Sequence, residues 1–251
     1  MKHFHHDGFD LAYLDHGSGD PILLIHGFAS NARVNWESTG WISTLNEAGY
    51  RTIAIDNRGH GHSTKSHDPN DYNPTAMAGD ALALLDHLGI ESAHVMGYSM
   101  GARISAFLSI GSPWRVKSLI FGGLGIGMVE GVGDWDPIAD ALLAADPATI
   151  THLRGAAFRK FADQTKSDRL ALAACIQTSR ELVKPEDLRK LGMPVLVAAG
   201  SKDDISGDVF ELAALMPDAG GFVIEGRDHM LAVGDRTFKK AVLAFLGRIE
   251  A

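Results

Sequence analysis

Short apolar runs rich in β-branched residues alternate with segments of helical period along most of the 251-residue chain. This alternation constrains the fold most, because strands separated by helices pair in parallel and are covered by helices on both faces. Six near-continuous apolar runs, typical of fully buried strands, lie at 21–27, 51–56, 94–99, 116–123, 194–200 and 221–226. An antiparallel strand is expected within residues 9–17. The sequence therefore predicts an α/β fold with a doubly wound, mostly parallel sheet.

Helix signals lie between the apolar runs. Asn73 and Pro74 form a cap and first-turn pair, and Gly89 ends the helical periodicity that follows them. A last helix is expected from about residue 236 to 248, with one apolar face.

Residues 124–190 interrupt the alternation, because they contain no strand pattern. Helix-start signals recur there instead, at Asp136-Pro137, Asp146-Pro147 and Ser167-Asp168. We predict a core domain formed by residues 1–123 and 191–251, with residues 124–190 inserted as a helical lid. The glycine-rich start of this insertion is compatible with a mobile lid or with a loose connection.

Charge and cysteine content restrict the partners and the compartment. A formal net charge of −8 and a pI near 5.8 argue against nucleic acid or an anionic membrane as a partner. No segment approaches the ~18 apolar residues of a membrane span, and the first ten residues lack a signal-peptide core. Cys175 is the only cysteine, so no internal disulfide can form. We predict a cytoplasmic protein that acts on a small molecule.

Two groups of histidines have spacings that could suit a metal. The three histidines within the first six residues are expected to form a frayed, solvated start. Asp56, His60 and His62 are the other group, but a structural turn in which Asp56 and Arg58 satisfy the backbone and each other is favoured. Glycine-rich nucleotide-binding motifs are absent from the sequence, so we predict that no metal or cofactor is needed.

The stretch "VMGYSMGAR", residues 95–103, places Ser99 between Gly97 and Gly101 at the end of an apolar run. A strand that turns sharply into a helix would need glycines at these positions and would expose the serine hydroxyl at its apex. A serine nucleophile needs a base and an acid to orient that base.

The order of residues along the chain narrows the choice of that base and acid. On such a sheet the acid and then the histidine follow the serine, and His229 comes directly after the strand at 221–226. "GSKDD", after the strand at 194–200, offers Asp203 as first choice of acid and Asp204 as reserve.

These segments resemble the α/β-hydrolase superfamily over nearly the whole chain. "HGFAS" (26–30) is similar to the oxyanion loop, "DNRGHGHS" (56–63) to the D-x-R-G-x-G-x-S turn and "GYSMG" (97–101) to the nucleophile elbow. The resemblance implies a sheet of about eight strands, and an oxyanion hole formed by the backbone N–H groups of Phe28 and Met100. It also implies that His26 braces the oxyanion loop.

Together these features favour a serine hydrolase of small, uncharged carboxylic esters, with Ser99, Asp203 and His229 as its triad. Apolar residues of the predicted lid are candidates for the substrate pocket or for packing within the lid: Trp135, Leu142, Leu143, Phe158 and Phe161. Ser99 also suits lactonases, thioesterases, carbon–carbon bond hydrolases and perhydrolases, whereas epoxide hydrolases of this kind carry an aspartate there. A non-catalytic receptor for a small ligand on the same fold is the alternative from another class.

Overall fold

The structure, a computed structural model, describes residues 1–249. Its strands are β1 (Lys2–His6), β2 (Phe9–His16), β3 (Asp20–Ile25), β4 (Tyr50–Ile55), β5 (Ala93–Tyr98), β6 (Val116–Gly122), β7 (Val195–Gly200) and β8 (Ala219–Ile224). They form one sheet in the order β1-β2-β4-β3-β5-β6-β7-β8. β2 pairs antiparallel with both β1 and β4. Each neighbouring pair from β4 through β3, β5, β6 and β7 to β8 is parallel. The predicted α/β fold with a mostly parallel sheet is confirmed.

The α-helices flank this sheet and form the insertion between β6 and β7. They are α1 (Trp41–Glu47), α2 (Pro74–His87), α3 (Met100–Gly111), α4 (Gly127–Glu130), α5 (Asp136–Leu143), α6 (Leu153–Gln164), α7 (Arg169–Thr178), α8 (Pro185–Leu188), α9 (Val209–Ala213), α10 (His229–Ala232) and α11 (Arg236–Ile249). Short 3-10 turns lie at Pro69–Tyr72, Pro113–Arg115 and Pro147–Thr149, and a π-helical turn lies at Arg33–Glu37. Within residues 1–249, no helix has the length and apolar character needed to cross a bilayer.

Alternate residues of β3 show how the sheet separates two apolar cores. Leu23 and Ile25 pack in the cluster that includes residues of α2 and α3, whereas Ile22 and Leu24 pack in the cluster that includes residues of α1 and α11. Because successive side chains of a strand point to opposite faces, a continuous apolar run is what burial on both faces requires.

Two predicted helices are confirmed with their end signals. Asn73 caps α2 by accepting a hydrogen bond from the Ala76 N–H over 2.8 Å, and Gly89 has a φ of +65° just after the helix ends. α11 covers the range expected for the last helix and buries Phe238 and Val242.

The start of the chain differs from the sequence prediction. β1 pairs with β2, placing Phe4 opposite Leu11, and Phe4 is buried. His6 Nδ1 lies 2.8 Å from Asp80 Oδ1. The prediction of a frayed start was wrong because backbone hydrogen bonds to β2 hold this segment in the sheet. Its polar sequence gave no sign of that pairing.

The insertion between β6 and β7, all of it described, is helical. α7 begins after Asp168, whose carboxylate accepts from the N–H groups of Leu170 and Ala171, and α5 begins at Asp136. Asp146-Pro147 starts only a short 3-10 turn. α5 packs against α6 and α7. Whether this insertion acts as a separate lid stays a prediction.

Candidate active site

Ser99 occupies a sharp turn between β5 and α3. Its φ of +55° and ψ of −113° belong to a region that residues with a side chain rarely adopt. A Cβ on Gly97 would lie 2.1 Å from the Gly101 carbonyl oxygen, and a Cβ on Gly101 would lie 1.9 Å from the Ile25 carbonyl oxygen. Because the backbone approaches so closely at both positions, only glycine fits on either side of this serine.

The sheet brings Ser99, His229 and Asp203 together from three different strand ends. His229 Nε2 lies 3.0 Å from Ser99 Oγ, and His229 Nδ1 lies 2.8 Å from Asp203 Oδ2. The Asp203 side chain is fully buried, and its Oδ1 accepts hydrogen bonds from the backbone N–H groups of Ile205 and Ser206. With Nδ1–H donating to the carboxylate, Nε2 is left to accept the serine proton.

Asp204, the alternative acid, points elsewhere. Its side chain is 77% exposed and pairs with Arg154 Nη2 over 3.1 Å. The geometry thus selects Asp203 as the partner of His229. Two adjacent carboxylates point to different sides of the turn, one to the histidine and one to solvent.

Tyr98, the last residue of β5, stabilises the backbone of His229. Its hydroxyl donates a 2.6 Å hydrogen bond to the His229 carbonyl oxygen. Asp228 caps the short helix α10 by accepting from the Met230 and Leu231 N–H groups. Both contacts fix the backbone that carries the imidazole.

The loop after β3 lies against the elbow. A Cβ on Gly27 would lie 3.2 Å from the Tyr98 carbonyl oxygen and 3.4 Å from Ser99 Cβ. Within residues 1–249, the backbone N–H groups of Phe28 and Met100 donate to no protein acceptor. Met100 directly follows Ser99, and Phe28 lines the same cavities as Ser99, as an oxyanion hole would require.

His26 stabilises this loop as a neutral imidazole. Its Nδ1–H donates to the Gly27 carbonyl oxygen over 2.8 Å, and its Nε2 accepts from the Asn57 N–H over 3.0 Å. Complete burial lowers the pKa of His26 to about 4. These contacts fit the bracing role expected of His26.

The turn after β4 differs from prediction in one ion pair. Asp56 accepts from the Ala32 and His62 N–H groups, as a structural carboxylate does. Arg58, however, pairs with Asp80 over 2.6 and 2.7 Å rather than with Asp56. Helix α2 presents Asp80 to this turn, which the sequence alone did not reveal. Among residues 1–249 no three His, Cys, Asp or Glu side chains are grouped so that they could hold a metal ion.

Two cavities meet at His229. One, of about 200 Å³, runs from Ser99 past Phe158 and Phe161 to Val34 and Val233. The other, of about 340 Å³, lies between α6 and the loop that carries Asp204, and it shares both phenylalanines.

The five predicted pocket residues separate into three groups. Phe158 and Phe161 line both of these cavities, and Trp135 lines a smaller cavity beside Ser99. Leu142 is fully buried in the packing of the insertion, and Leu143 is 51% exposed, so neither lines any of the three. Helical period identified α5 as amphipathic but did not reveal which neighbour its apolar face contacts.

Three residues beside Ser99 were missed in the sequence. Asn35 Oδ1 accepts from the Gly27 N–H over 3.2 Å, and Asn35 lines the 200 Å³ cavity. Arg103 and Arg180 line the smaller cavity. The signal for Arg103 was present, since it follows Ser99 by four residues and so lies one helical turn away. Asn35 and Arg180 gave no such signal.

The sheet, the elbow at its centre and the side chains at its strand ends define an α/β hydrolase. Residues 20–164 match the family model described as the alpha/beta hydrolase fold, and the chain belongs to this family. It is similar to the non-heme chloroperoxidase CPO-A1 of Kitasatospora aureofaciens, with 27% identity over 96% of this chain and 98% of that protein.

Two further comparisons are informative. A crystal structure of a hydrolase from Pseudomonas aeruginosa PA01 superposes with a TM-score of 0.81 at 26% identity, covering 98% of both chains. Epoxide hydrolase 3 of Siraitia grosvenorii is 32% identical over 45% of this chain, which is 35% of that protein. The relatives support an enzyme of the hydrolase type.

Proposed function

We propose that the protein is a serine hydrolase that cleaves small carboxylic esters through an acyl-enzyme. The observation that carries the proposal is the position of His229, within hydrogen-bond distance of both Ser99 Oγ and Asp203 Oδ2. A hydroxyl is a weak nucleophile until a base takes its proton, and this arrangement supplies the base and the group that orients it.

In the first step Ser99 Oγ attacks the ester carbonyl while His229 Nε2 takes the hydroxyl proton. The carbonyl oxygen becomes an oxyanion, which the N–H groups of Phe28 and Met100 stabilise; one such donor is typically worth about 3 kcal/mol of barrier. His229 then gives its proton to the leaving alcohol oxygen, and the acyl group stays on Ser99.

In the second step water takes the place of the alcohol. His229 removes a proton from the water, the hydroxide attacks the acyl-serine, and the carboxylic acid leaves as Ser99 regains its proton. Asp203 stabilises the imidazolium in both steps without becoming protonated. Ser99 occupies the elbow position where epoxide hydrolases of this fold carry an aspartate, which favours ester over epoxide cleavage.

Perhydrolysis is a second candidate, supported by the similarity to a non-heme chloroperoxidase along almost the whole of both chains. Hydrogen peroxide in place of water would attack the same acyl-serine and release a peroxyacid. This reaction uses the same three side chains and differs only in the nucleophile of the second step.

The test is p-nitrophenol release from esters of rising acyl length, with wild type and Ser99→Ala assayed side by side. We expect the variant to lose at least about a thousandfold in kcat/KM. Equal rates in both proteins would refute the proposal. Adding hydrogen peroxide and assaying peroxyacid then separates perhydrolysis from hydrolysis, because both depend on Ser99 but only one forms the peroxyacid.

A further inference from the structure

A small cavity of about 30 Å³ adjoins Ser99 and Met100 where helix α3 meets the inserted residues. His229 lines the two larger cavities but not this one. One water molecule needs roughly 10–15 Å³ of such a cavity, so the 30 Å³ cavity has room for about two waters. A carboxylate group is about this size.

Arg103 contributes a buried guanidinium to the wall of this cavity. Its side chain donates three hydrogen bonds to carbonyl oxygens, those of Met128, Glu181 and Gly127. A guanidinium has five N–H groups, so two remain without an acceptor in the described part of the chain. Arg103 is only 4% exposed, and the acceptors that it contacts within residues 1–249 are these carbonyl oxygens rather than a carboxylate.

Arg180 and Trp135 add donors from the inserted segment. Arg180 donates through Nε to the Ile176 carbonyl oxygen, and its Nη2 lies 3.9 Å from Asp136 Oδ1, a side chain that is 85% exposed. The indole Nε1–H of Trp135 is buried without an acceptor among residues 1–249, and Trp135 is 6% exposed. A buried N–H normally has a partner, so the missing acceptor points to a ligand.

The polar lining consists of these donors, the Ser179 hydroxyl and the elbow, and it includes no acidic side chain. Burial, with the neighbouring charge of Arg180, lowers the pKa of Arg103 to about 10, while Glu181 offsets this in part. A pKa near 10 leaves Arg103 charged at neutral pH, and a guanidinium such as that of Arg180 is charged there as well. Two cations and an unpartnered indole N–H suit an anion with several acceptor oxygens.

The position of His229 decides which part of an ester would enter. The histidine must protonate the leaving alcohol oxygen, so the alcohol part belongs on the side of the cavities that His229 lines. The acyl part then extends away from His229, towards Arg103 and Arg180. Arg103 is one helical turn from Ser99, about 6 Å away, so a charged group on a short acyl chain can reach it.

We propose that this cavity binds a carboxylate carried by the acyl group of the substrate, which makes the natural substrate the half-ester of a short dicarboxylic acid such as succinate. This inference rests on the proposed hydrolysis at Ser99 and names its substrate class. It replaces the uncharged acyl group expected from the sequence, because an uncharged group would leave the buried Arg103 guanidinium without an ion-pair partner and Arg180 with only the exposed Asp136 carboxylate, 3.9 Å away.

The test compares monoethyl succinate with ethyl succinamate, in which an amide replaces the carboxylate at nearly the same size. Binding is measured by calorimetry on Ser99→Ala, which cannot turn the esters over. We expect the half-ester to bind about ten- to hundredfold more tightly than the amide. Arg180→Gln in the same background should remove most of that preference, and Trp135→Phe, which deletes only the N–H, should reduce it.

Arg169→Gln is the matched control, since Arg169 is a partly exposed arginine of the insertion that lines none of the three cavities. It should leave the preference within about threefold. Equal binding of both esters by Ser99→Ala, or equal loss of preference in Arg180→Gln and Arg169→Gln, would overturn the carboxylate site.

Turnover by wild type, assayed as ethanol release, separates this inference from the proposed function. Preferential binding of the half-ester with no release from either ester would refute hydrolysis and leave the carboxylate site standing. Release from both esters at equal kcat/KM, together with equal binding, would support hydrolysis and refute the carboxylate site.

Discussion

Replacing Gly101 with alanine tests how closely the elbow packs against the neighbouring strand. The added Cβ would lie 1.9 Å from the Ile25 carbonyl oxygen and 2.8 Å from that of His26, whereas ordinary contacts begin near 3.4 Å. Because the obstacle is backbone rather than a flexible side chain, the start of α3 must move about 1.5 Å away from the end of β3.

This movement separates the two halves of the proposed oxyanion hole. The Met100 amide moves with α3, while the Phe28 amide stays with the loop after β3. A misplacement of about 1 Å at a reacting centre costs roughly a hundredfold in rate, so we expect kcat for p-nitrophenyl acetate to fall at least that far. The strain should also lower the free energy of unfolding by about 1–3 kcal/mol.

Gly111→Ala is the matched control, because Gly111 ends the same helix and a Cβ there meets nothing within 4 Å. We expect its activity to be unchanged and its stability to be equal or up to about 1 kcal/mol higher. Activity is measured per folded molecule, with urea unfolding followed by circular dichroism. A folded Gly101→Ala protein with wild-type kcat would refute the argument from close packing.

Three further predictions concern individual side chains. Asp203→Asn should lower kcat about ten-thousandfold, whereas Asp204→Asn should stay within about threefold because that carboxylate is exposed; similar losses in both would contradict the assignment. Burial and the adjacent His26 ring lower the pKa of His60 to about 3, so the unfolded chain, titrating near 6.5, binds the proton first as the pH falls. Between pH 7 and pH 5, the free energy of unfolding should therefore fall by about 2 kcal/mol more in wild type than in His60→Asn. Urea unfolding at the two pH values measures both decreases, and equal decreases would refute this reasoning. Burial raises the pKa of the Cys175 thiol to about 12, so a thiol reagent at pH 8 should label the native protein far more slowly than the urea-unfolded one, and equal rates would show that the thiol is accessible.

Features that depend on chain-local patterns were predictable. Continuous apolar runs identified six strands of the parallel sheet, and the Asn73-Pro74 and Gly89 signals marked both ends of α2. The glycines around Ser99 and the order of residues along the chain placed three polar side chains at strand ends that one edge of a parallel sheet brings together. β1 was missed because its sequence is mostly polar, with Phe4 as its one buried apolar side chain, and lacks the continuous apolar run that marks the parallel strands.

Contacts between distant segments were decided by the tertiary structure. Asp203 and Asp204 are adjacent and chemically identical, so only the path of the turn shows that Asp203 faces His229. Helical spacing could not show that Leu143 faces solvent, because it tells which residues share a face and not what that face meets.

The sequence by itself determined the class of fold and the position of Ser99 at the turn between β5 and α3, because both depend on residue spacing along a strand, a turn and a helix. The lining of the space around that serine was decided by how the insertion packs on the core. Arg103 and Arg180 are far apart in sequence, yet they line one small cavity because α3 and the end of α7 meet there. The charge of the proposed acyl site is therefore a property of tertiary packing, which no local pattern encodes.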